Sequence, residues 1–306
     1  MITDPPPRFK HAFVTGATGM VGVPLCNRLT EMGIEVTAFS RNASNGNFAD
    51  GVNRISGDML DADVVMEEAK NADVIYHVAA AVHGSESSYE GFRRMNVDGT
   101  ANVVNVANAL GVRMVHVSTV NVDGFNRGLL RDPYAQTKAE AEALVLGAVQ
   151  NGLDAVVVRP ATIFGSMVGQ AGLIVDRILS GSLKVMPAPS RKISPVWIED
   201  LTRALIRAAQ VGASGNVYTV AGPTISSGDF AKSVSACAGV GSYKVSIPAW
   251  LIALPLNLAW LLKGVTRVTP PVTVEAVRSG SVHDGSDAAA ELGFEYTPIN
   301  EIFSQT

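Results

Sequence analysis

The stretch from Thr15 to Gly22, TGATGMVG, decides the fold of this chain. Just before it, the apolar segment His11 to Val14 predicts a short β-strand. After it, apolar residues recur at helical spacing, which predicts an α-helix that ends near Gly33. A strand, a glycine-rich turn and a helix in this order form the opening unit of a fold that binds a dinucleotide at the turn.

Three glycines explain why this turn suits a cofactor. Gly16 permits a tight turn, Gly19 lets the backbone approach a pyrophosphate, and Gly22 lets the helix pack closely on the strand. The helix N-terminus offers free N–H groups to phosphate oxygens. Glycines at this spacing are a weak signal alone, and an ordinary glycine-rich turn is the alternative. The predicted cofactor contacts in this stretch are Gly16, Thr18, Gly19, Met20, Val21 and Gly22.

Composition argues against several classes of function. Among 306 residues, 47% are hydrophobic and 17% are charged, the net charge is −4, and no Lys/Arg run occurs, so we expect no nucleic-acid partner. Only Cys26 and Cys237 are present, and the histidines show no ligand spacing, so we expect a reduced, cytoplasmic setting and no metal site. The N-terminal sequence MITDPPPRFK lacks an apolar signal core, so we do not expect secretion.

The end of the second predicted strand, Ile34 to Ser40, indicates which dinucleotide binds. A fold that binds NAD usually has an acidic residue here, whereas a 2′-phosphate requires a nearby cation. This chain has the neutral Ser40 followed by Arg41, which can bind a phosphate through two hydrogen bonds. We therefore predict NADP(H) as the cofactor and NAD as the less favoured one, with a solvated surface arginine as the alternative interpretation.

Two more strand ends are predicted to reach the cofactor. Arg54 to Ser56 predicts a third strand, after which Asp58 and Met59 follow Gly57. Asp58 could accept a hydrogen bond from the adenine amino group, or it could serve as a turn or N-cap residue.

Asp73 to His77 predicts a buried strand that leads to Ala79 and Ala80, whose small side chains leave room for a cofactor. His77 itself is interpreted as a core histidine rather than as a catalyst.

A tyrosine and a lysine four residues apart provide the predicted chemistry. Residues 88–110, including Asn96, predict a long helix, and the strand Met114 to Ser118 leads to Thr119. Tyr134 and Lys138 then lie on one face of the next helix. An ammonium near a phenol favours the phenolate and lowers the phenol pKa, so we expect Lys138 to activate Tyr134 as an acid–base group.

In this order the motifs resemble those of the extended short-chain dehydrogenases/reductases. They are TGATGMVG, GDML, HVAA, the NVDGT segment from Asn96, VST, YAQTK, RPATIFG from Arg159, SPVWIEDL and YTVAG, and they cover almost the whole chain. The pattern is most similar to the branch that contains dihydroflavonol reductases and 3β-hydroxysteroid dehydrogenases.

This resemblance implies a catalytic triad of Thr119, Tyr134 and Lys138. Tyr134 would exchange a proton with the substrate oxygen, Lys138 would hold the nicotinamide ribose, and Thr119 would orient the carbonyl. Asn96 matches a family asparagine near the active site. The same resemblance implies further cofactor contacts at Pro160, Thr162 and Ile163.

Two departures from the family pattern concern the substrate. The family more often has Ser where Thr119 stands, so a methyl group is added beside the hydroxyl. The interval from Thr119 to Tyr134 is short, which reduces one wall of the usual pocket. The catalytic groups are kept in spite of both departures, but the identity of the substrate does not follow from the sequence.

The rest of the chain predicts an α/β fold, a Rossmann-type doubly wound parallel sheet with a smaller C-terminal substrate lobe. Leu153 to Arg159 predicts a core strand, the chain leaves the sheet after Ile163 and returns to it at Ile193 to Trp197, and Asn216 to Val220 predicts the last strand. We assign residues 1–165 and 190–220 to the NADP-binding domain, and residues 166–189 and 221–306 to the substrate lobe.

The apolar stretch Ile247 to Leu262 stands out in that lobe. It is shorter than the roughly 20 residues that a membrane span needs, and Pro255 would kink a helix here. The favoured interpretation is a buried helix or a helix at a homodimer interface. The alternatives are an apolar wall of the substrate pocket and, least favoured, a peripheral membrane contact.

Together these features predict an NADP(H)-dependent oxidoreductase that interconverts a ketone and a secondary alcohol on a fairly apolar small molecule. An NAD-dependent nucleotide-sugar epimerase or dehydratase is the alternative among enzymes. A non-catalytic NADP-sensing regulator is the alternative of another class, and the intact pair Tyr134 and Lys138 argues against it.

Overall fold

Seven parallel strands form the central sheet of this protein. The computed structural model describes residues 9–165, 170–251 and 282–302. The sheet order is β11-β6-β5-β4-β1-β2-β3, and every pairing in it is parallel. Its strands are β1 (His11–Thr15), β2 (Glu35–Ser40), β3 (Asn53–Ser56), β4 (Val74–His77), β5 (Arg113–Val117), β6 (Ala155–Pro160) and β11 (Val217–Val220). The predicted fold class is confirmed.

Helices cover both faces of the sheet, so its strands are buried on both sides. One apolar core joins the sheet to α1 and α8, and a second core joins it to α2, α4 and α6. The helices are α1 (Gly22–Glu31), α2 (Ala62–Ala69), α3 (Tyr89–Arg93), α4 (Gly99–Leu110), α5 (Asn121–Asn126), α6 (Pro133–Gln150), α7 (Gln170–Leu179), α8 (Ile198–Val211), α9 (Ser227–Cys237), α10 (Ser286–Leu292) and α11 (Ile299–Ile302). A 3-10 turn spans Ala43–Asn45.

Three small sheets lie beside the central one. They pair β7 (Ile163–Phe164) with β10 (Val196–Trp197), β8 (Val185–Pro187) with β13 (Val245–Ile247), and β9 (Lys192–Ile193) with β12 (Ile225–Ser226). The prediction that Ile193 to Trp197 rejoins the central sheet is therefore wrong. The edge of β6 is already taken by β11, so this segment pairs with other short strands.

The helix predicted over residues 88–110 is interrupted in its middle. Between α3 and α4, Arg94–Asp98 adopts π-helical geometry, in which hydrogen bonds skip one more residue than in an α-helix. Periodicity alone predicts a uniform helix here because the apolar face continues through the interruption. Within this segment Asn96 bonds to the loop that follows β4, and Met95 lines the cleft described below.

Candidate active site

The glycine-rich turn between β1 and α1 packs against the chain that follows β4. Gly16 has a φ of +67°, and a Cβ there would lie 2.5 Å from the Ala79 Cα. A Cβ on Gly22 would lie 2.4 Å from the Gly16 carbonyl oxygen. Both positions therefore require glycine, one for the turn and one for close helix packing. Among the described residues, the backbone N–H groups of Met20 and Val21 have no acceptor, which leaves them available to a phosphate.

A cleft of about 550 Å³ lies at the carboxyl-terminal edge of the sheet, where parallel α/β folds bind their ligands. Most of the predicted site residues line it: Gly16, Thr18, Gly19, Met20, Val21, Ser40, Arg41, Asp58, Met59, Ala79, Ala80, Thr119, Tyr134, Lys138, Pro160 and Ile163.

Three predicted cofactor contacts do not line the cleft. Gly22 lies beneath the turn, Asn96 is buried behind the cleft wall, and Thr162 points to solvent. Sequence reasoning missed ten residues that do line it: Thr15, Phe39, Asn42, Gly57, Val78, Val82, Met95, Val117, Ser118 and Ala161. Most of these directly neighbour predicted contacts, so their place at strand ends was the available signal.

The end of β2 provides the groups predicted to meet the adenosine ribose. The Thr18 hydroxyl donates a hydrogen bond of 3.2 Å to the Ser40 hydroxyl, which joins the glycine-rich turn to this strand end. Arg41 is exposed at the cleft, and it has no ion-pair partner among the described residues. Asp58 lines the cleft and also accepts a hydrogen bond from the Leu60 N–H at 3.0 Å, so the turn interpretation of Asp58 holds.

Tyr134 lies in the first turn of α6 and lines the cleft together with Thr119. The Asp132 carboxylate caps this helix by accepting from the Ala135 N–H at 3.2 Å, which fixes where the helix begins. Burial raises the pKa of Tyr134 to about 12, and the hydrogen bond with Thr119 offsets only part of that increase. The phenol is therefore protonated at neutral pH.

Lys138 is buried one turn further along α6. Its Nζ donates a hydrogen bond of 2.8 Å to the Val117 carbonyl at the end of β5. Burial lowers the pKa of Lys138 to about 8, and the Glu142 carboxylate opposes that shift. Burial of the phenol thus raises the pKa of Tyr134 and opposes the lowering that we expect from Lys138.

Behind Lys138, His77 is held as a neutral core residue. Its Nδ1 lies 2.8 Å from the Thr15 hydroxyl, and its Nε2 lies 2.8 Å from the Thr100 hydroxyl. The Thr100 hydroxyl donates its own proton to the Asn96 carbonyl, so Nε2 is the protonated nitrogen of His77. Burial and the charge of Lys138 lower the pKa of His77 to about 3. The interpretation of His77 as a core histidine is consistent with these contacts.

Asn96, in the π-helical segment, holds the loop that follows β4. Its side-chain oxygen accepts from the Ala81 N–H at 2.7 Å, and its amide donates to the Ala81 carbonyl at 3.2 Å and to the Thr137 hydroxyl at 3.1 Å. This one side chain therefore joins the cleft wall to α6. Met95, its neighbour, lines the cleft directly.

An aromatic cluster that the sequence did not reveal surrounds the Tyr134 ring. The His83 and Phe92 rings lie with their centroids 4.8 Å and 6.1 Å from that of Tyr134. His83 Nε2 also lies 3.1 Å from the carboxylate of Asp132, the residue that caps α6. The contacts with His83 and Phe92 restrict the orientation of the Tyr134 ring.

Most of the apolar stretch Ile247 to Leu262 lies outside the described residues. Of its described part, Trp250 is 58% exposed and does not line the cleft, and Leu254 falls outside the described ranges. The described part of the chain contains no helix whose length and apolar character would let it cross a membrane.

With this geometry in place, sequence comparison assigns the family. The profile of the NAD dependent epimerase/dehydratase family matches residues 12–221, which span the central sheet and every residue predicted to contact the cofactor. The chain belongs to this family. The prediction of an enzyme of the extended short-chain dehydrogenase/reductase class is therefore confirmed at the level of the family.

Individual relatives include reductases and dehydrogenases. A 3 beta-hydroxysteroid dehydrogenase/Delta 5-->4-isomerase from Mycobacterium tuberculosis is 28% identical, with 93% of this chain and 86% of that protein covered. A 2-alkyl-3-oxoalkanoate reductase from Shewanella oneidensis is 32% identical over 66% of this chain, and the match spans only 57% of that reductase's length. The crystal structure of gox2253 is similar with a TM-score of 0.83 and 25% identity, covering 96% of each chain.

Proposed function

We propose that this member of the epimerase/dehydratase family is an NADP(H)-dependent oxidoreductase. In this proposal it interconverts a ketone and a secondary alcohol on a fairly apolar small molecule. It is supported most directly by one cleft that is lined by Thr119, Tyr134 and the buried Lys138. Arg41 lines the same cleft and directly follows the end of β2.

The chain's own residues support each part of this chemistry. A bound nicotinamide cofactor would supply or accept the hydride. The Thr119 hydroxyl orients the substrate oxygen, and the Tyr134 phenol, protonated at neutral pH, donates its proton to that oxygen during reduction. The Lys138 ammonium stabilises the phenolate left on Tyr134 and holds the cofactor ribose. The burial of Thr119 and Lys138 strengthens these interactions.

Arg41 supports the choice of NADP over NAD. Replacing Arg41 with Asp removes a charge-assisted hydrogen bond to the 2′-phosphate and adds repulsion. We expect Arg41→Asp to reverse the preference, and a bond of about 1.5–3 kcal/mol corresponds to a change of roughly tenfold or more in the dissociation constant. Titration calorimetry with NADPH and NADH measures both constants. Equal constants for the two cofactors in the unsubstituted protein would contradict this role of Arg41.

The charges of the cleft favour the oxidoreductase over a nucleotide-sugar epimerase. Among the described residues that line the cleft, the cations are Arg41 and Lys138, which the proposal already assigns to the cofactor. A substrate diphosphate would need further cations. A non-catalytic sensor of NADP would in turn have no need for the arrangement of Thr119, Tyr134 and Lys138.

A substrate screen tests the proposal as a whole. We would follow NADPH oxidation with panels of steroid, flavonoid, aliphatic β-keto and quinone carbonyl compounds. The name of the Shewanella relative puts the aliphatic β-keto compounds first. Turnover of a nucleotide sugar with retained NAD, and of none of these ketones, would support the epimerase instead.

Two further assignments complete the proposal. We propose that residues 1–165 and 190–220 bind the cofactor, whereas residues 166–189 and 221–306 shape the substrate site. We also propose that the chain forms a homodimer, which light scattering at known concentration would test.

A further inference from the structure

A buried carboxylate lies one helical turn beyond Lys138, and neither the sequence motifs nor the proposed reaction uses it. Glu142 has a side chain only 5% exposed. Its Oε2 accepts from the Ser118 hydroxyl at 2.6 Å and from Arg159 Nε at 2.9 Å, and its Oε1 accepts from Arg159 Nη2. Both oxygens of this carboxylate therefore accept hydrogen bonds, and the Arg159 guanidinium donates to each of them.

These bonds connect the three elements that carry the site. Glu142 lies on α6 with Tyr134 and Lys138, Ser118 lies between β5 and Thr119, and Arg159 lies on β6. Arg159 extends the network to α5, where its Nη1 lies 2.5 Å from Asp123 Oδ1. The spacing of α6 from the strand ends, and hence of Tyr134 from Thr119, depends on this set of bonds.

We propose that Glu142 is a positioning residue for Lys138, because the two buried side chains lie one turn apart on α6 and bond to the successive residues Ser118 and Val117 at the end of β5. This inference rests on the proposed function, because it assumes that Lys138 holds the cofactor. The placement of the two side chains does not depend on that function. Both are buried, and they lie four residues apart on one helix.

The other groups around Lys138 leave Glu142 as the carboxylate that can perform this role. His77 on β4 and His116 on β5 are buried and neutral, since burial lowers the pKa of each. Tyr134 on α6 is also neutral at physiological pH. The remaining cation, Arg159 on β6, is shared between Glu142 and the half-exposed Asp123 of α5. Burial therefore favours neutral Lys138, and the Glu142 carboxylate opposes it.

Removing the charge of Glu142 should shift the Lys138 pKa in a defined direction. In Glu142→Gln, Lys138 loses its compensating anion while Arg159 remains nearby. We expect the Lys138 pKa to fall by about one unit or more. At a pH above the pKa, one unit lowers the charged fraction of Lys138 about tenfold. In Arg159→Met, Glu142 keeps its charge and loses a competing cation, so we expect the Lys138 pKa to rise. A purely structural role for Glu142 would not produce opposite shifts in the two variants.

The measurement is an NMR titration of protein labelled with ¹³C at the lysine Cε position. The Lys138 signal is assigned by its absence from Lys138→Met. Ser118→Ala is the matched control, because it removes a neutral hydrogen bond to the same carboxylate and keeps every charge. In that variant we expect the Lys138 pKa to stay at its unsubstituted value. If Glu142→Gln does not fold, Arg159→Met provides the test, because the Lys138 pKa should rise there while the charge of Glu142 is kept.

An unchanged Lys138 titration in a folded Glu142→Gln protein, or in Arg159→Met where Glu142→Gln does not fold, would overturn the inference. NADPH titration from pH 6 to pH 10 provides the second readout, and we expect its alkaline limb to move to lower pH in Glu142→Gln. If the NMR titration moves and the NADPH profile does not, Lys138 does not hold the cofactor. In that case the proposed function fails and the inference about Glu142 stands.

Discussion

We expect Tyr134→Phe to lose turnover by about 10²- to 10⁴-fold, which is the typical contribution of a positioned acid–base group. The substitution removes only the hydroxyl. The ring keeps its contacts with His83 and Phe92, so the fold and the affinity for NADPH should persist. Single-turnover oxidation of NADPH, with the ketone that the screen identifies, measures the chemical step.

Substitutions of Thr119 provide the matched control for this result. Thr119→Ser keeps the hydroxyl that contacts Tyr134 and should keep most of the activity, whereas Thr119→Val keeps the shape and should not. If Tyr134→Phe turned over at the unsubstituted rate, the catalytic triad would be wrong, and the NADP-sensing regulator would become the stronger interpretation.

Lys138→Met should be as damaging to turnover as Tyr134→Phe and should in addition weaken NADPH binding. Methionine fills much of the buried space that the lysine stem occupies, so the loss reports the ammonium rather than a cavity. The lost charge-assisted hydrogen bond predicts a dissociation constant for NADPH about tenfold higher or more. Calorimetric titration gives the constant, and single-turnover kinetics gives the rate.

The pKa of Lys138 predicts in which direction NADPH affinity changes with pH. Burial lowers the pKa of Lys138 to about 8, so its ammonium is present below that pH and is lost as the pH rises through it. NADPH affinity in the unsubstituted protein should therefore decline above about pH 8, and Lys138→Met should not show that decline. A flat pH profile in both proteins would count against any contact between Lys138 and the cofactor.

Local sequence patterns predicted the parts of the fold that depend on local chemistry. The glycine turn at Gly16, the strand ends at Ser40 and Ala79, and the helical pair of Tyr134 and Lys138 all follow from spacing. The predicted strand at Ile193 to Trp197 was wrong in its pairing, because a strand's sequence does not state which sheet edge is free.

Contacts between distant residues could not be predicted in the same way. Glu142 lies on a helix rich in Ala and Glu, where composition suggests a solvated face. Its spacing of four residues from Lys138 was the available signal, and only the packing against Arg159 shows that it is buried. The raised pKa of Tyr134 was missed for a related reason. A sequence shows a neighbouring lysine but does not show how strongly the phenol is desolvated.

The π-helical segment Arg94–Asp98 fixes the number of residues between α3 and α4 more strictly than it fixes which residues they are. Each residue turns an α-helix by about 100°, so deleting one residue here would rotate α3 relative to α4 by that angle. Asn96 could then no longer reach Ala81 and Thr137 together, and Met95 would leave the cleft. An attempt to enlarge the cleft should therefore substitute Met95 and keep the number of residues between α3 and α4 unchanged.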